Sequence, residues 1–176
     1  MPHIKLLLLL ASLSCLSLHC KKEEPQKEED KLPPLTTEGK QTFGCLMNGK
    51  AWPDSYLTTF GSSGYANGNF ELYLLTLDPA TVGIKEQVTI EIRGKIFGPG
   101  HYIIPYSTNL METNINASYH KTGYTSYGTP GGYADITIAK LDTINHLMSG
   151  TFDFLLYSAT NIVPLQVTKG RFDCRY

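Results

Sequence analysis

The chain has 176 residues, of which 41% are hydrophobic, with 15 Lys and Arg against 16 Asp and Glu and a formal net charge of −1. That balance excludes a nucleic-acid partner and an electrostatic membrane patch, because both require a surplus of positive charge gathered on one face. The length is that of a single ordinary domain with a short leader.

The chain opens with Lys5, an apolar run from Leu6 to Leu18, and Cys20 followed by the charged segment Lys21-Lys22-Glu23-Glu24. Ile4 to Leu18 covers fifteen residues and includes Ser12, Ser14 and Ser17. A helix needs roughly 20 apolar residues to cross about 30 Å of hydrocarbon, so a permanent transmembrane span is excluded and an export signal over residues 1–19 is expected. In this reading Cys20 carries lipid. Ser17-Leu18-His19 departs from the usual Leu at the third position before the cysteine and the small residue just ahead of it. Cys15, preceded by Ser14, and plain secretion are the alternatives.

Cys20-Lys21-Lys22-Glu23-Glu24 resembles the export tag of Bacteroidota surface lipoproteins, in which Lys and paired acids follow the lipidated cysteine. The resemblance implies an outer-membrane protein that faces outward, held by acyl chains such as palmitate, since several chains on one Cys anchor durably where one is marginal. From Lys21 to Gln41 the sequence holds five Lys, six Asp or Glu and three Pro, with almost nothing apolar to bury. With Cys20 it reads as a disordered charged tether, residues 20–41, with a mean reach of roughly 25 Å.

The remainder, residues 42–176, is expected to form one β domain. It carries ten acidic and nine basic residues, so it is near neutral. Period-two alternation of apolar and polar side chains predicts strands at Phe43 to Met47, Phe70 to Leu77, Val88 to Ile92, His101 to Ile104, Asn116 to His120, Tyr133 to Leu141, Thr151 to Tyr157 and Leu165 to Arg175. Asn48-Gly49 is a two-residue hairpin signal, because both positions tolerate positive φ. Asp142-Thr143-Ile144-Asn145 marks a second reversal. Asp78 to Glu86, with Pro79 and Gly83, reads as a turn, and no segment carries a helical stripe. About eight to ten strands with frequent Gly and Pro predict an all-β fold, an antiparallel β-sandwich, with a closed lipocalin-like or streptavidin-like barrel as the alternative.

Cys45 and Cys174 are the cysteines left in the domain. Each lies on an alternating run, Cys45 with Phe43 and Met47, and Cys174 with Phe172. If the terminal strands are neighbours, the two thiols would close a loop of about 130 residues, worth about 4 to 5 kcal/mol in the entropy model; otherwise they are small buried space fillers. Ser149-Gly150-Thr151-Phe152-Asp153-Phe154 and Thr168-Lys169-Gly170-Arg171-Phe172-Asp173 resemble the closing strands of uncharacterised Bacteroidota lipoprotein families. Thr42 to Trp52 is similar to their first hairpin. The likeness implies location and fold and carries no activity.

Candidate chemistry is sparse. His101, His120 and His146 show no metal-ligand spacing, and neither Ser62-Ser63-Gly64 nor Tyr127-Gly128-Thr129 is a nucleophile elbow, so no metal, cofactor or catalytic residue is selected. Glu71, Glu91, Asp135 and Asp153 sit on predicted strands as solvated side chains. Tyr119, Tyr124, Tyr127 and Tyr133 fall within fifteen Gly-rich residues. Tyr124 and Tyr127 are the candidate ligand-binding pair, since tyrosine offers flat, half-polar contact area at low entropic cost, while Tyr119 and Tyr133 are expected to pack beside strands. The sequence therefore suggests a membrane-anchored binding module with a glycan or an envelope-protein partner. A structural component of the outer membrane and a barrel holding an apolar ligand are the alternatives. Asn116-Ala117-Ser118 matches an N-glycosylation sequon, and Asp142-Thr143-Ile144 resembles the Bacteroidota O-glycosylation motif.

Overall fold

A computed structural model describes residues 26–53, 57–81, 83–106, 112–119, 122–125, 132–160 and 162–176. Among them twelve strands run in the order β1 (Thr42–Met47), β2 (Lys50–Trp52), β3 (Leu57–Phe60), β4 (Gly64–Ala66), β5 (Asn69–Leu77), β6 (Ile84–Ile92), β7 (Gly100–Pro105), β8 (Thr113–Tyr119), β9 (Thr122–Thr125), β10 (Tyr133–Asp142), β11 (Leu147–Leu156) and β12 (Leu165–Arg175). Each of the eight strands expected from alternation is present. The additional ones, β2, β3, β4 and β9, are only three or four residues long, too short for a period of two to declare itself.

The strands form two antiparallel sheets. The first, sheet A, has the order β2-β1-β12-β11-β10-β7; the second, sheet B, has β3-β5-β6-β8-β9, with β4 also paired to β5. The sheets pack as a sandwich and do not close into a barrel. Their contact at one corner is a single bridge, Thr125 to Tyr157. The barrel alternative fails for a packing reason as well, since the space between the sheets is filled by side chains such as Phe70, Leu72, Ile90, Ile136 and Phe152, all nearly inaccessible to solvent.

Local sequence explains the turns. Asn48 and Gly49 adopt φ of 48° and 78° and join β1 to β2, and Asn67 and Gly68, at 49° and 81°, do the same between β4 and β5. At the β10–β11 reversal, Asp142 Oδ1 accepts the backbone N–H groups of Ile144 and Asn145 at 3.1 and 2.9 Å. The glycines in the two closing strands have a packing role. A Cβ on Gly170 would lie 2.3 Å from the Phe152 ring, and one on Gly150 would lie 2.1 Å from the Thr137 carbonyl oxygen.

Aromatic rings and a side-chain hydrogen bond also join the layers. Phe70 of sheet B meets Phe172 of sheet A at 5.8 Å between centroids, and Phe43 meets Phe60 edge-on at 5.1 Å. Trp52 Nε1 donates to Glu86 Oε2 at 2.8 Å across the interior, where both residues are buried. A buried charge costs heavily unless hydrogen-bonded, so this indole is a structural partner as well as an apolar filler.

The tether expected over residues 20–41 is instead part of the fold from Glu28 onward. A short 3₁₀ turn, Glu28–Lys31, precedes the buried Leu32, which packs with Pro33 over Gly44. The Asp173 carboxylate then receives the Thr36 hydroxyl at 2.5 Å and the backbone N–H groups of Glu38, Gly39 and Lys40 at 3.1, 2.7 and 3.1 Å. Arg171 Nη1 donates to the Pro33 carbonyl at 3.1 Å, and Ala51 N donates to Glu28 Oε2 at 2.9 Å. The composition is that of a disordered linker, but its donors find a fixed acceptor on β12.

Register defines the direction of this strap. Met47 pairs with Val167 and Thr42 with Asp173, so Glu28, bonded beside the β1–β2 turn, lies at one end of sheet A and Lys40 at the other. The first end also holds the β11–β12 loop, and the second holds the β10–β11 turn.

Replacing Trp52 by Phe removes the donor to Glu86 together with the fused five-membered ring; a loss of about 2–4 kcal/mol in calorimetric unfolding is expected. An unchanged stability would show that Glu86 does not need the indole. Burial alone would raise the Asp173 carboxyl, but the Thr36 hydroxyl and the N–H groups of Lys40, Gly39 and Glu38 outweigh it and hold the group below the usual carboxylate range. An acid with a depressed folded pKa stabilises the protein above its unfolded value and loses that contribution as pH falls through the folded one. Asp173→Asn should therefore cost about 2 kcal/mol at neutral pH, and the difference from wild type should fade below about pH 4. A pH-independent difference would contradict the charge-assisted clamp.

Candidate functional site

On β10 the side chains of Ala134, Ile136 and Ile138 point into the core, which turns Tyr133 and Asp135 to the outer face of sheet A. The same alternation turns Asp153 and Leu155 outward on β11, and Gln166 and Thr168 outward on β12. Together with Tyr157 just beyond β11, these residues line an open cleft of about 430 Å³. Tyr133 and Tyr157 are 54% and 44% exposed, so their rings are presented to solvent. The Tyr106 hydroxyl donates to the Leu155 carbonyl at 3.1 Å, which braces the cleft from beneath; burial pushes the Tyr106 phenol well above its ordinary range, so it remains a donor.

Two carboxylates meet in this cleft. Asp135 lies directly opposite Asp153 in the β10–β11 ladder. Each has a hydrogen-bond partner. Asp135 Oδ1 lies 2.7 Å from His101 Nε2 of β7, and Asp153 Oδ1 accepts the Lys169 N–H at 2.7 Å. The second bond exists because the β11–β12 ladder slips between Phe152 and Phe154, and Lys169 takes a φ of 55°. Burial raises the Asp153 carboxyl above its ordinary value, with Asp135 adding to the rise against the opposing Lys169 bond. The arrangement offers hydrogen-bond acceptors next to two rings at one end of the sheet face.

The sequence-based candidates fare differently. Tyr124 is only 7% exposed and belongs to the core, because β9 pairs with β8 and turns the ring inward. It is therefore not a surface ligand contact. Tyr127 lies outside the described residues, as do His120 and Cys20. Tyr133, expected to pack beside a strand, is instead one of the exposed rings of the cleft. Tyr157 was not singled out, since a lone tyrosine after an apolar run gives no signal of its own.

Cys45 and Cys174 are both buried as free thiols. The terminal strands are neighbours, the condition on which pairing depended, but the register separates the two cysteines. Cys45 pairs with Trp52 and follows the Gly44 to Arg171 pair, whereas Cys174 lies beyond Asp173 and pairs with Met148. Cys45 therefore faces the Lys169–Gly170 slip, at least four residues along the ladder from Cys174; at about 3.3 Å per residue the two stand roughly 13 Å or more apart, past the 7 Å that a disulfide tolerates. Desolvation raises the Cys174 thiol to about 12 and the Cys45 thiol further still, so both are inert space fillers.

His146 sits in the β10–β11 turn with φ of 53°, its ring edge-on to Tyr176 at 5.4 Å. Among the described residues no three His, Cys, Asp or Glu side chains are grouped to hold a metal ion. Asn116 of the N-glycosylation sequon lies within β8, paired on both sides by β6 and β9, while Thr143 of the second motif is exposed in its turn. No helix among the described residues is long and apolar enough to cross a membrane. No protein-family model, curated protein or solved structure matches this chain.

Proposed function

We propose that this protein is a lipid-anchored binding module of the bacterial outer membrane, facing outward, whose cleft on sheet A takes a glycan. The observation that carries the reading is the pairing of two exposed tyrosines, Tyr133 and Tyr157, with the acceptors Asp135, Asp153 and Gln166 in one shallow concavity. A sugar ring has an apolar face that rests on an aromatic ring and a rim of hydroxyls that donate to carboxylates and amides. Because both rings stand on the ends of ladder-paired segments, binding requires little ordering.

The anchor half of the reading rests on the sequence, in which a fifteen-residue apolar run leads to Cys20 and a Lys and Glu tag. Acylation at Cys20 would hold the sandwich at the membrane.

Tyr133→Ala and Tyr157→Ala should each weaken retention on a glycan array by about tenfold, which corresponds to about 1.4 kcal/mol per stacked ring. Both rings are half exposed, so the melting temperature should change little. Retention equal to wild type in both variants would exclude the cleft as the glycan site.

A further inference from the structure

We propose that the end of the sandwich bearing the β11–β12 loop docks on the bilayer, with Ile162 and Val163 entering the lipid interface. Ile162 is fully exposed and Val163 is 61% exposed, and the loop from Ser158 to Pro164 contains no charged residue. Two adjacent branched apolar side chains at an uncharged loop tip beside an anchor suit a lipid surface.

The course of the N-terminal strap selects this occupant. Glu28 is bonded to Ala51, next to the Asn48–Gly49 turn, and that turn is tied to the start of β12 by Asn48 N donating to the Gln166 carbonyl at 2.8 Å and Gln166 N donating to Asn48 Oδ1 at 2.9 Å. The chain therefore leaves the domain at the end where the apolar loop projects. Only seven residues separate Glu28 from Cys20. Fully extended they span less than about 30 Å, so an acylated Cys20 holds this end, and not the opposite one, against the membrane. The opposite end, marked by the 87% exposed Ile144, lies a further 30 Å or so away along the eleven residues of β12. The inference rests on acylation of Cys20, the anchor in the proposed function.

The test uses the full lipoprotein, processed in cells, purified and reconstituted into phosphatidylethanolamine and phosphatidylglycerol vesicles. Ile162→Cys and Ile144→Cys carry an environment-sensitive fluorophore, and the parent, whose Cys45 and Cys174 are buried, serves as the blank. All proteins should float with the vesicles; the label at position 162 should shift to the blue and brighten several-fold, while that at 144 should not change. Flotation with equal emission at the two positions overturns the docking and leaves the anchor standing. Failure to float overturns the anchor and the docking together.

Discussion

Four donors from one short segment converge on the Asp173 carboxylate, and this is the constraint on which the rest of the arrangement depends. The acceptor stands near the end of β12, so the strap that reaches it must run the length of sheet A from its start beside β2. Leu32 and Pro33 are thereby laid over Gly44, where a larger residue would collide with the Pro33 ring. Arg171 completes the attachment midway, bonded to the Pro33 carbonyl and 3.9 Å from Glu29. A charged segment that could not form a core of its own is ordered because the domain supplies the acceptor and the apolar seat.

Fixing the strap fixes geometry elsewhere. It places Glu28 at the end of the sandwich that holds the β11–β12 loop, the end that the proposed anchor at Cys20 would hold. The tyrosine cleft sits on the same outer face as the strap and toward the same end, since Tyr133, Tyr157 and Gln166 all lie where β10, β11 and β12 meet that end. In the proposed docked arrangement the cleft would open beside the membrane, within reach of a glycan borne on a lipid or on a neighbouring surface protein.

Much of the fold was legible because its main strands are long enough to alternate. β5 shows the cleanest case, with Phe70, Leu72, Leu74 and Thr76 buried and their neighbours partly exposed. The Asn48–Gly49 hairpin was legible for a chemical reason, the tolerance of both residues for positive φ. Pairing distances were not legible, because the slip between Gly44 and Leu46 and the offset of Cys174 are properties of the ladder, so the two thiols read as potential partners and are not. Tyr124 is buried and Tyr133 exposed, the reverse of what the sequence suggested, since composition of a Gly-rich stretch does not say which ring faces inward. The strap was missed because its ordering depends on an acceptor more than 130 residues away.

Backbone hydrogen exchange in the full chain tests the central claim most directly. If the Asp173 carboxylate clamps the strap, the N–H groups of Glu38, Gly39 and Lys40 exchange far more slowly than an unstructured peptide of the same sequence. Exchange of those three amides at the unstructured rate, with β12 itself still protected, would contradict the account.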